Sequence, residues 1–172
     1  MMEQISPYLS NHKVPVLKSD ELEILDSLVI IEYVSAYCRQ DSTNTYPKML
    51  AVIRSLCAEM HSSFIAIRNE LPMIFRRKPV ELAISKDGLN NIKGIQAHWQ
   101  FAGQYSDGDW LLGRFSMAVA MFTPMVLRFS RYKVALQSMA AEYVDYVLND
   151  PLMMKWVEAG STETQVIEQE ER

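Results

Sequence analysis

The sequence predicts a mainly α-helical protein in which a helical bundle follows a short β-hairpin and one helix. The first of three observations is the apolar stretch at residues 110–129, WLLGRFSMAVAMFTPMVLRF, where only Thr123 is polar across positions 117–127. A helix that is apolar all round has no face for solvent, so it must lie at the centre of a bundle. The stretch is too short for a membrane span of about 20 apolar residues, and Arg114 and Arg128 bracket it.

The second observation is a long periodic segment that follows the polar connector at residues 40–45. Its apolar residues recur three or four positions apart, as one face of an amphipathic helix requires, and they are Met49, Ile53, Leu56, Met60, Phe64, Ile67 and Leu71. We predict one continuous helix of roughly seven turns from Pro47. It should end at Pro72 or continue a little past it with a kink.

The third observation comes from the start of the chain. Residues 14–17 are a β-branched run that contains Pro15, which fits an edge strand because proline has no N–H to donate. A polar turn and a second strand at residues 22–25 complete a predicted hairpin. Asp26 or Ser27 can then cap a helix, whose apolar positions are Leu28, Ile31, Val34 and Tyr37 or Cys38.

Another helix, from Lys86 or Leu89 to Tyr105, precedes the central apolar one. Its three glycines lower its helix propensity, so packing must hold it. We expect its inner face to carry Leu89, Ile92, Gln96, Trp99, and Ala102 or Gly103. Inside the central helix, Pro124 predicts a kink or a break.

Capping residues define the last two helices. Ser138 is expected to cap a helix over residues 139–148, with Tyr143, Val144, Val147 and Leu148 facing inward. Asp150 as the N-cap and Pro151 as the first helical residue start a final short helix. Gly160 is expected to end it.

Composition excludes several classes of protein. At 172 residues with 49% apolar side chains, the chain can form one domain with a sizeable core, or a domain and a fragment of another. A net charge of −4 argues against a nucleic-acid partner, and the short basic cluster at residues 76–78 reads as a solvated helix end or loop. Cys38 and Cys57 lack metal-ligand spacing and are expected to be buried free thiols. We find no signal peptide and predict a cytoplasmic protein without a membrane partner.

Four segments resemble the glutathione S-transferase family. Residues 13–17 (KVPVL) and 26–30 (DSLVI) are similar to the glutathione-binding half of its thioredoxin-like domain. Residues 58–64 (AEMHSSF) and 110–116 (WLLGRFS) are similar to signatures of its all-helical C-terminal domain in one bacterial branch. The four segments occur in the order and spacing of the family, and the resemblance covers essentially the whole chain.

The resemblance implies a domain division. Residues 1–39 would be a partial thioredoxin-like domain of strand, strand and helix, and residues 46–160 the all-α C-terminal domain. Residues 161–172 form an acidic tail that we expect to be disordered. Only 13 residues precede Val14, too few for the strand–helix–strand unit with which a complete transferase begins, so the front domain is expected to be truncated.

The resemblance also implies glutathione-binding residues. A cis peptide bond before Pro15 would turn the Val14 backbone outward, to pair with the cysteinyl backbone of glutathione like an added strand. Asp26 and Ser27 at a helix N-terminus would form an anion site for the γ-glutamyl carboxylate. Read alone, a Val-Pro pair is most often an edge strand, and Asp-Ser most often a cap.

No catalytic residue can be assigned. In the family, a Tyr, Ser or Cys after the first strand stabilises the glutathione thiolate, and the corresponding segment is missing here. A second departure is Val119, which stands where a carboxylate would complete a capping box with Ser116. Without this half of the capping box, the stability of the helix should be lower by about 1 kcal/mol.

Several functions therefore stay open. The resemblance implies conjugation of glutathione to a small apolar electrophile, or an isomerisation of the maleylacetoacetate type, but the chain lacks the thiolate-stabilising residue and is predicted to be inactive as it stands. It could instead be a non-catalytic transferase remnant or interaction module, or its start could be misplaced. Met60, His61 and Phe64 are candidates for the wall of the second-substrate cleft, although helical aromatic residues are usually core. The family usually dimerises, so a homodimer and a monomer both remain open. No metal is expected.

Overall fold

The computed structural model describes residues 14–38 and 47–166, and in these ranges the protein is mainly helical, as predicted. A two-stranded sheet precedes the helices. The elements, in chain order, are β1 (Val16–Ser19), β2 (Leu22–Leu25), α1 (Ser27–Cys38), α2 (Pro47–Ser62), α3 (Ile65–Glu70), α4 (Lys86–Gly103), a 3₁₀ turn (Leu111–Gly113), α5 (Met117–Arg131), α6 (Ser138–Asn149) and α7 (Pro151–Thr162).

The predicted hairpin is confirmed, but its first strand is Val16–Ser19 and not residues 14–17. Strands β1 and β2 pair antiparallel, with Val16 opposite Leu25 and Ser19 opposite Leu22. Asp20 closes the turn with a positive φ of 51°, a conformation that aspartate tolerates better than most residues. The register brings the residues before β1 and the residues after β2 to the same end of the hairpin.

Helix α5 is the centre of the bundle. Ten of its side chains are buried, which confirms the prediction from its apolar sequence, and it packs against α1, α2 and α6. The fully buried Trp99 of α4 lies edge-on to three rings. Its centroid is 6.2 Å from Phe122, 5.6 Å from Phe129 and 5.0 Å from Tyr143. One tryptophan therefore joins three helices.

The ends and interior of α5 follow its local sequence in most respects. Ser116 caps the helix by accepting a hydrogen bond from the Val119 N–H at 3.5 Å. The helix continues through Pro124 to Arg131, so the predicted break does not occur. Buried Thr123 donates its hydroxyl to the Val119 carbonyl at 2.8 Å, so the one polar side chain in the apolar run is satisfied within its own helix.

The prediction of one long helix up to Leu71 is wrong. Phe64 adopts a left-handed conformation (φ 62°), which separates α2 from α3. A helix that ends leaves carbonyls without intrahelical donors, and the Arg68 guanidinium donates to one of them, on Met60. The turn keeps both Phe64 and Leu71 buried, although a single straight axis does not connect them.

A long loop follows α3 and lies against α5. Arg128 of α5 donates from Nε to the Leu71 carbonyl at 2.8 Å. The Tyr132 hydroxyl donates to the buried Pro72 carbonyl at 2.8 Å and lies 3.2 Å from Arg77 Nη1. The basic cluster at residues 76–78 therefore belongs to a loop. The sequence allows either a helix end or a loop.

The start of helix α4 lies beside the end of α3 in space. Ser85 caps α4 by accepting from the Gly88 N–H at 3.0 Å. The Glu70 carboxylate in turn accepts from the Ser85 hydroxyl at 2.6 Å and from its N–H at 2.9 Å. The predicted inner face holds for Ile92, Gln96, Trp99 and Ala102, which are buried. It is wrong for Leu89, which is 49% exposed because Gly88 and Ile92 face the core.

The last helices confirm some predictions and correct others. Gln137, not Ser138, is the N-cap of α6, and its N–H donates to Gln96 Oε1 at 2.8 Å. Asp150 caps α7 as predicted, accepting from the N–H groups of Leu152 and Met153 at 2.9 and 3.2 Å. Helix α7 continues through Gly160 to Thr162, so the predicted end is too early.

The tail expected to be disordered from residue 161 is described only in part, and its first two residues belong to α7. Residues 163–166 follow α7 without regular structure, and the rest of the tail lies outside the described residues, as does the connector at 40–45. Within residues 14–38 and 47–166, no helix combines the length and the apolar character that a bilayer crossing requires.

Two buried tyrosines allow a matched stability test. The Tyr143 hydroxyl has no hydrogen-bond partner among the described residues, and burial raises its pKa. We expect Tyr143→Phe to leave the free energy of unfolding unchanged or to raise it by about 1 kcal/mol. Tyr132→Phe should lower it by about 1–2 kcal/mol, because the Pro72 carbonyl loses its donor.

Urea unfolding followed by circular dichroism measures both variants. If Tyr143→Phe lowered the free energy of unfolding as much as Tyr132→Phe does, the Tyr143 hydroxyl would have a hydrogen-bond partner after all.

A second matched pair uses two glycines. An alanine in place of a helical glycine usually stabilises by about 0.5–1 kcal/mol. At Gly160 a Cβ atom would stand 2.6 Å from the Phe75 ring, whereas at Gly103 its nearest neighbour is Met139 Cε at 3.9 Å. We therefore expect Gly160→Ala to destabilise by about 1–3 kcal/mol and Gly103→Ala to be neutral or stabilising. Thermal unfolding of both variants tests the sign, and equal gains at both sites would refute the Gly160–Phe75 packing.

Candidate functional site

The open end of the hairpin collects the four residues predicted to bind glutathione. Val14 and Pro15 precede β1, and both are exposed, with 67% of Val14 accessible. The peptide bond between them is cis, as the resemblance implies. Asp26 and Ser27 follow β2 at the same end of the hairpin, since Val16 pairs with Leu25.

Asp26 shapes the start of helix α1. It takes a positive φ of 75°, and its Oδ1 accepts from the Leu28 N–H at 2.9 Å. Its carbonyl accepts from the Ile30 N–H at 2.9 Å. Asp26 is therefore the N-cap, which resolves the sequence alternative of Asp26 or Ser27.

Ser27 is the first residue of α1 and is half-buried. Its hydroxyl makes no hydrogen bond to any residue that the structure describes. The first N–H groups of a helix lack intrahelical acceptors and carry partial positive charge. A hydroxyl at this position can add a donor to these N–H groups, which together suit a carboxylate.

His61 reaches the site from the bundle. Its Nε2 lies 3.1 Å from Asp26 Oδ2, and its side chain is 37% exposed. Sequence reasoning placed His61 in a second-substrate cleft and missed this contact, because 35 positions separate the pair. The Asp26 carboxylate thus has one oxygen on the Leu28 N–H and the other on His61.

Further contacts fasten the hairpin and α1 to the bundle. Glu32 of α1 accepts from Arg54 Nε at 2.8 Å, and the hydroxyls of Ser19 and Tyr33 lie 2.8 Å apart. On the apolar side, two partly buried residues of α1 pack against the core, Leu28 and Ile31. The position of Ser27 therefore depends on contacts with the helical bundle as well as on the hairpin.

The other two cleft candidates lie in the core. Met60 is 2% exposed and Phe64 is 8% exposed. The Phe64 ring packs edge-on against His98, with centroids 5.9 Å apart, and His98 Nε2 lies 2.9 Å from Glu59 Oε1. In this conformation neither Met60 nor Phe64 offers a surface to a second substrate, so their burial does not support the predicted cleft wall.

Burial disfavours the thiolate form of Cys57. It is fully buried as a free thiol, as predicted. Burial, with a smaller contribution from Glu32, raises its pKa from the ordinary 9.0 to about 12. The thiolate, which is the reactive form, is therefore rare. Cys38 ends helix α1, and its side chain lies outside the described residues.

The chain matches no known protein-family profile and no curated protein.

The raised pKa of Cys57 predicts slow thiol chemistry. In a Cys38→Ser background, we expect an aromatic disulfide reagent to modify Cys57 at pH 8 at least about 100-fold more slowly in the folded than in the unfolded chain. The rate in the folded protein should keep rising with pH beyond 9, because the thiolate fraction is still growing there. Absorbance of the released thiol measures the rate, and equal rates in both states would contradict the burial of Cys57.

Proposed function

We propose that this protein binds glutathione at the open end of the hairpin, as a protein of the glutathione transferase type. One observation carries the proposal: exposed Val14 and the first residue of α1, Ser27, lie at the same end of the hairpin, and the Ser27 hydroxyl has no hydrogen-bond partner among the described residues. Glutathione needs both features, since it is an extended peptide with a carboxylate at its γ-glutamyl end.

The main chain of Val14 suits the middle of such a ligand. The Val14 main chain has an N–H and a carbonyl, and a peptide can pair with such groups as a short added strand. In the proposed complex the cysteinyl residue of glutathione pairs with Val14. Main-chain pairing does not read the side chains of the ligand. The ends of the ligand must therefore supply the specificity.

The N-terminus of α1 suits the γ-glutamyl end. The Ser27 hydroxyl and the first N–H groups of α1 would donate to the γ-glutamyl α-carboxylate. Asp26 has a different role, because its oxygens already face the Leu28 N–H and His61. It holds the first turn of α1 in place, and its negative charge favours the ammonium group that stands next to that carboxylate.

Glutathione chemistry requires more than binding. The nucleophile is the thiolate, and a free thiol has a pKa near 8.5, so a transferase needs a group that stabilises the sulfur anion. We assign no residue of this chain to that role. The proposed reaction remains attack of the thiolate on a small apolar electrophile, and binding without turnover would identify a non-catalytic relative. A cytoplasmic location belongs to the same proposal and agrees with the free, buried Cys57.

Glutathione titration with a matched serine pair tests the proposal. We expect saturable binding by isothermal calorimetry, with Ser27→Ala weakening the affinity about tenfold through loss of one hydrogen bond to a charged group. Ser62→Ala should bind like the wild type, because its hydroxyl bonds the Ala58 carbonyl within its own helix. Cysteinylglycine, which lacks the γ-glutamyl group, should bind weakly and should be insensitive to Ser27→Ala.

The same samples test turnover. With an aryl halide and glutathione, we expect the 172-residue chain to show no conjugation above the uncatalysed rate, measured by absorbance. Catalysed conjugation would overturn this expectation and would point to a thiolate-stabilising group not yet assigned. Absence of glutathione binding in the wild type would overturn the proposed function itself.

A further inference from the structure

A cavity of about 670 Å³ lies between the loop after α3 and helix α7. Its residues include none of those at the open end of the hairpin. Cavities that hold small molecules in proteins usually measure about 300–1,000 Å³, so this one has room for a ligand the size of a substituted two-ring aromatic compound.

One side of the cavity is apolar and aromatic. The rings of Phe75 and Trp156 meet edge-on, with centroids 5.0 Å apart and planes at 80°. Gly160 allows α7 to lie close to the Phe75 ring, because any Cβ at position 160 would collide with that ring. Ala159 lines the same side and is exposed. A flat apolar group could stack here without displacing a buried side chain.

The lining of the cavity also carries guanidinium groups. Arg128 is held in place by its donation from Nε to the Leu71 carbonyl and from Nη1 to the Pro124 carbonyl at 3.2 Å. Arg68 donates to the Met60 carbonyl, and both arginines line the cavity. These backbone contacts fix the positions of two positive charges before any ligand arrives.

The charge of Arg68 is poorly compensated. Its Nε is buried without a hydrogen-bond partner, and Arg68 makes no ion pair with any residue in the described part of the chain. Burial lowers its pKa, as expected for a cation that has lost water without gaining an anion. A carboxylate in the cavity would supply the missing counter-charge.

Two further charged residues belong to the described lining of the cavity. Arg76 lies at its edge, with Nη1 3.4 Å from the Glu163 carbonyl oxygen. Glu163 is the one acidic residue among the described residues that line the cavity. Its Oε1 accepts from the N–H groups of Thr164 and Gln165 at 2.8 and 3.1 Å, so part of its charge is taken up by its own backbone.

We propose that this cavity is a binding site for a small aromatic carboxylate. The aromatic body lies against Phe75 and Trp156, and the carboxylate faces Arg68 and Arg128, where a planar guanidinium can hold it with two hydrogen bonds. The site goes beyond the proposed glutathione function and shares no residue with it, so either proposal can fail without the other.

A pair of probes that differ only in charge tests the site. Calorimetric titration of the full chain should show binding of 2-naphthylacetate, with the neutral 2-naphthylethanol at least tenfold weaker. Equal affinities for the acid and the alcohol, or no binding of the acid at millimolar concentration, would overturn the proposal.

Two substitutions on α7 locate the binding. Ala159→Glu adds a negative charge to the lining of the cavity, at an exposed position of the helix. It should weaken the affinity for the acid at least tenfold and leave the affinity for the alcohol unchanged. Leu152→Glu is the control, since it lies on the same helix, is 65% exposed and does not line the cavity; it should leave both affinities unchanged. Equal losses in the two variants would refute this location.

Arg68→Met gives a third measurement. The acid should lose its advantage over the alcohol, and circular dichroism checks that the variant is folded, because Arg68 also supports the end of α2. Ser27→Ala should not change the affinity for the acid, which separates this site from glutathione binding. An undiminished preference for the acid in folded Arg68→Met would overturn the assigned role of Arg68.

Discussion

The packing of Trp99 against helix α5 is the constraint on which the rest of the structure depends. The indole is fully buried and lies edge-on to Phe122, Phe129 and Tyr143, so α4, α5 and α6 share one contact. Such aromatic pairs contribute about 0.5–1.5 kcal/mol each beyond the area they bury. With these helices held, α5 offers its other faces to α1 and α2, and through them it positions the hairpin.

The hairpin shows why a small element needs the larger one. Two strands alone are marginally stable in water. Here Leu28 of α1 packs on the core, and two polar contacts, between Glu32 and Arg54 and between Asp26 and His61, reach across to α2. The second contact couples the proposed glutathione site to the bundle, because Asp26 caps the helix on which Ser27 stands. Geometry at the site thus depends on residues far away in sequence.

The loop after α3 has a comparable dependence on tertiary contacts. It contains little regular structure, yet Tyr132 and Arg128 bind its carbonyls. Phe75, in the first part of the same loop, meets Trp156 and Gly160 of α7. Arg128 therefore both holds the loop and lines the cavity. Arg68 lines the same cavity, and it makes no ion pair with any residue that the structure describes.

Local sequence determined what depends on short-range physics: the mainly helical class, the hairpin, the apolar centre in α5, and the cap at Asp150. It also pointed to Val14 and Ser27 as partners in one site, through resemblance and spacing. Tertiary structure decided two features that the local sequence pattern leaves open. The periodic face continues across Phe64, so periodicity could not reveal the break there, and no local rule pairs His61 with Asp26. Both depend on contacts between distant segments, which the spacing of residues along a chain does not encode.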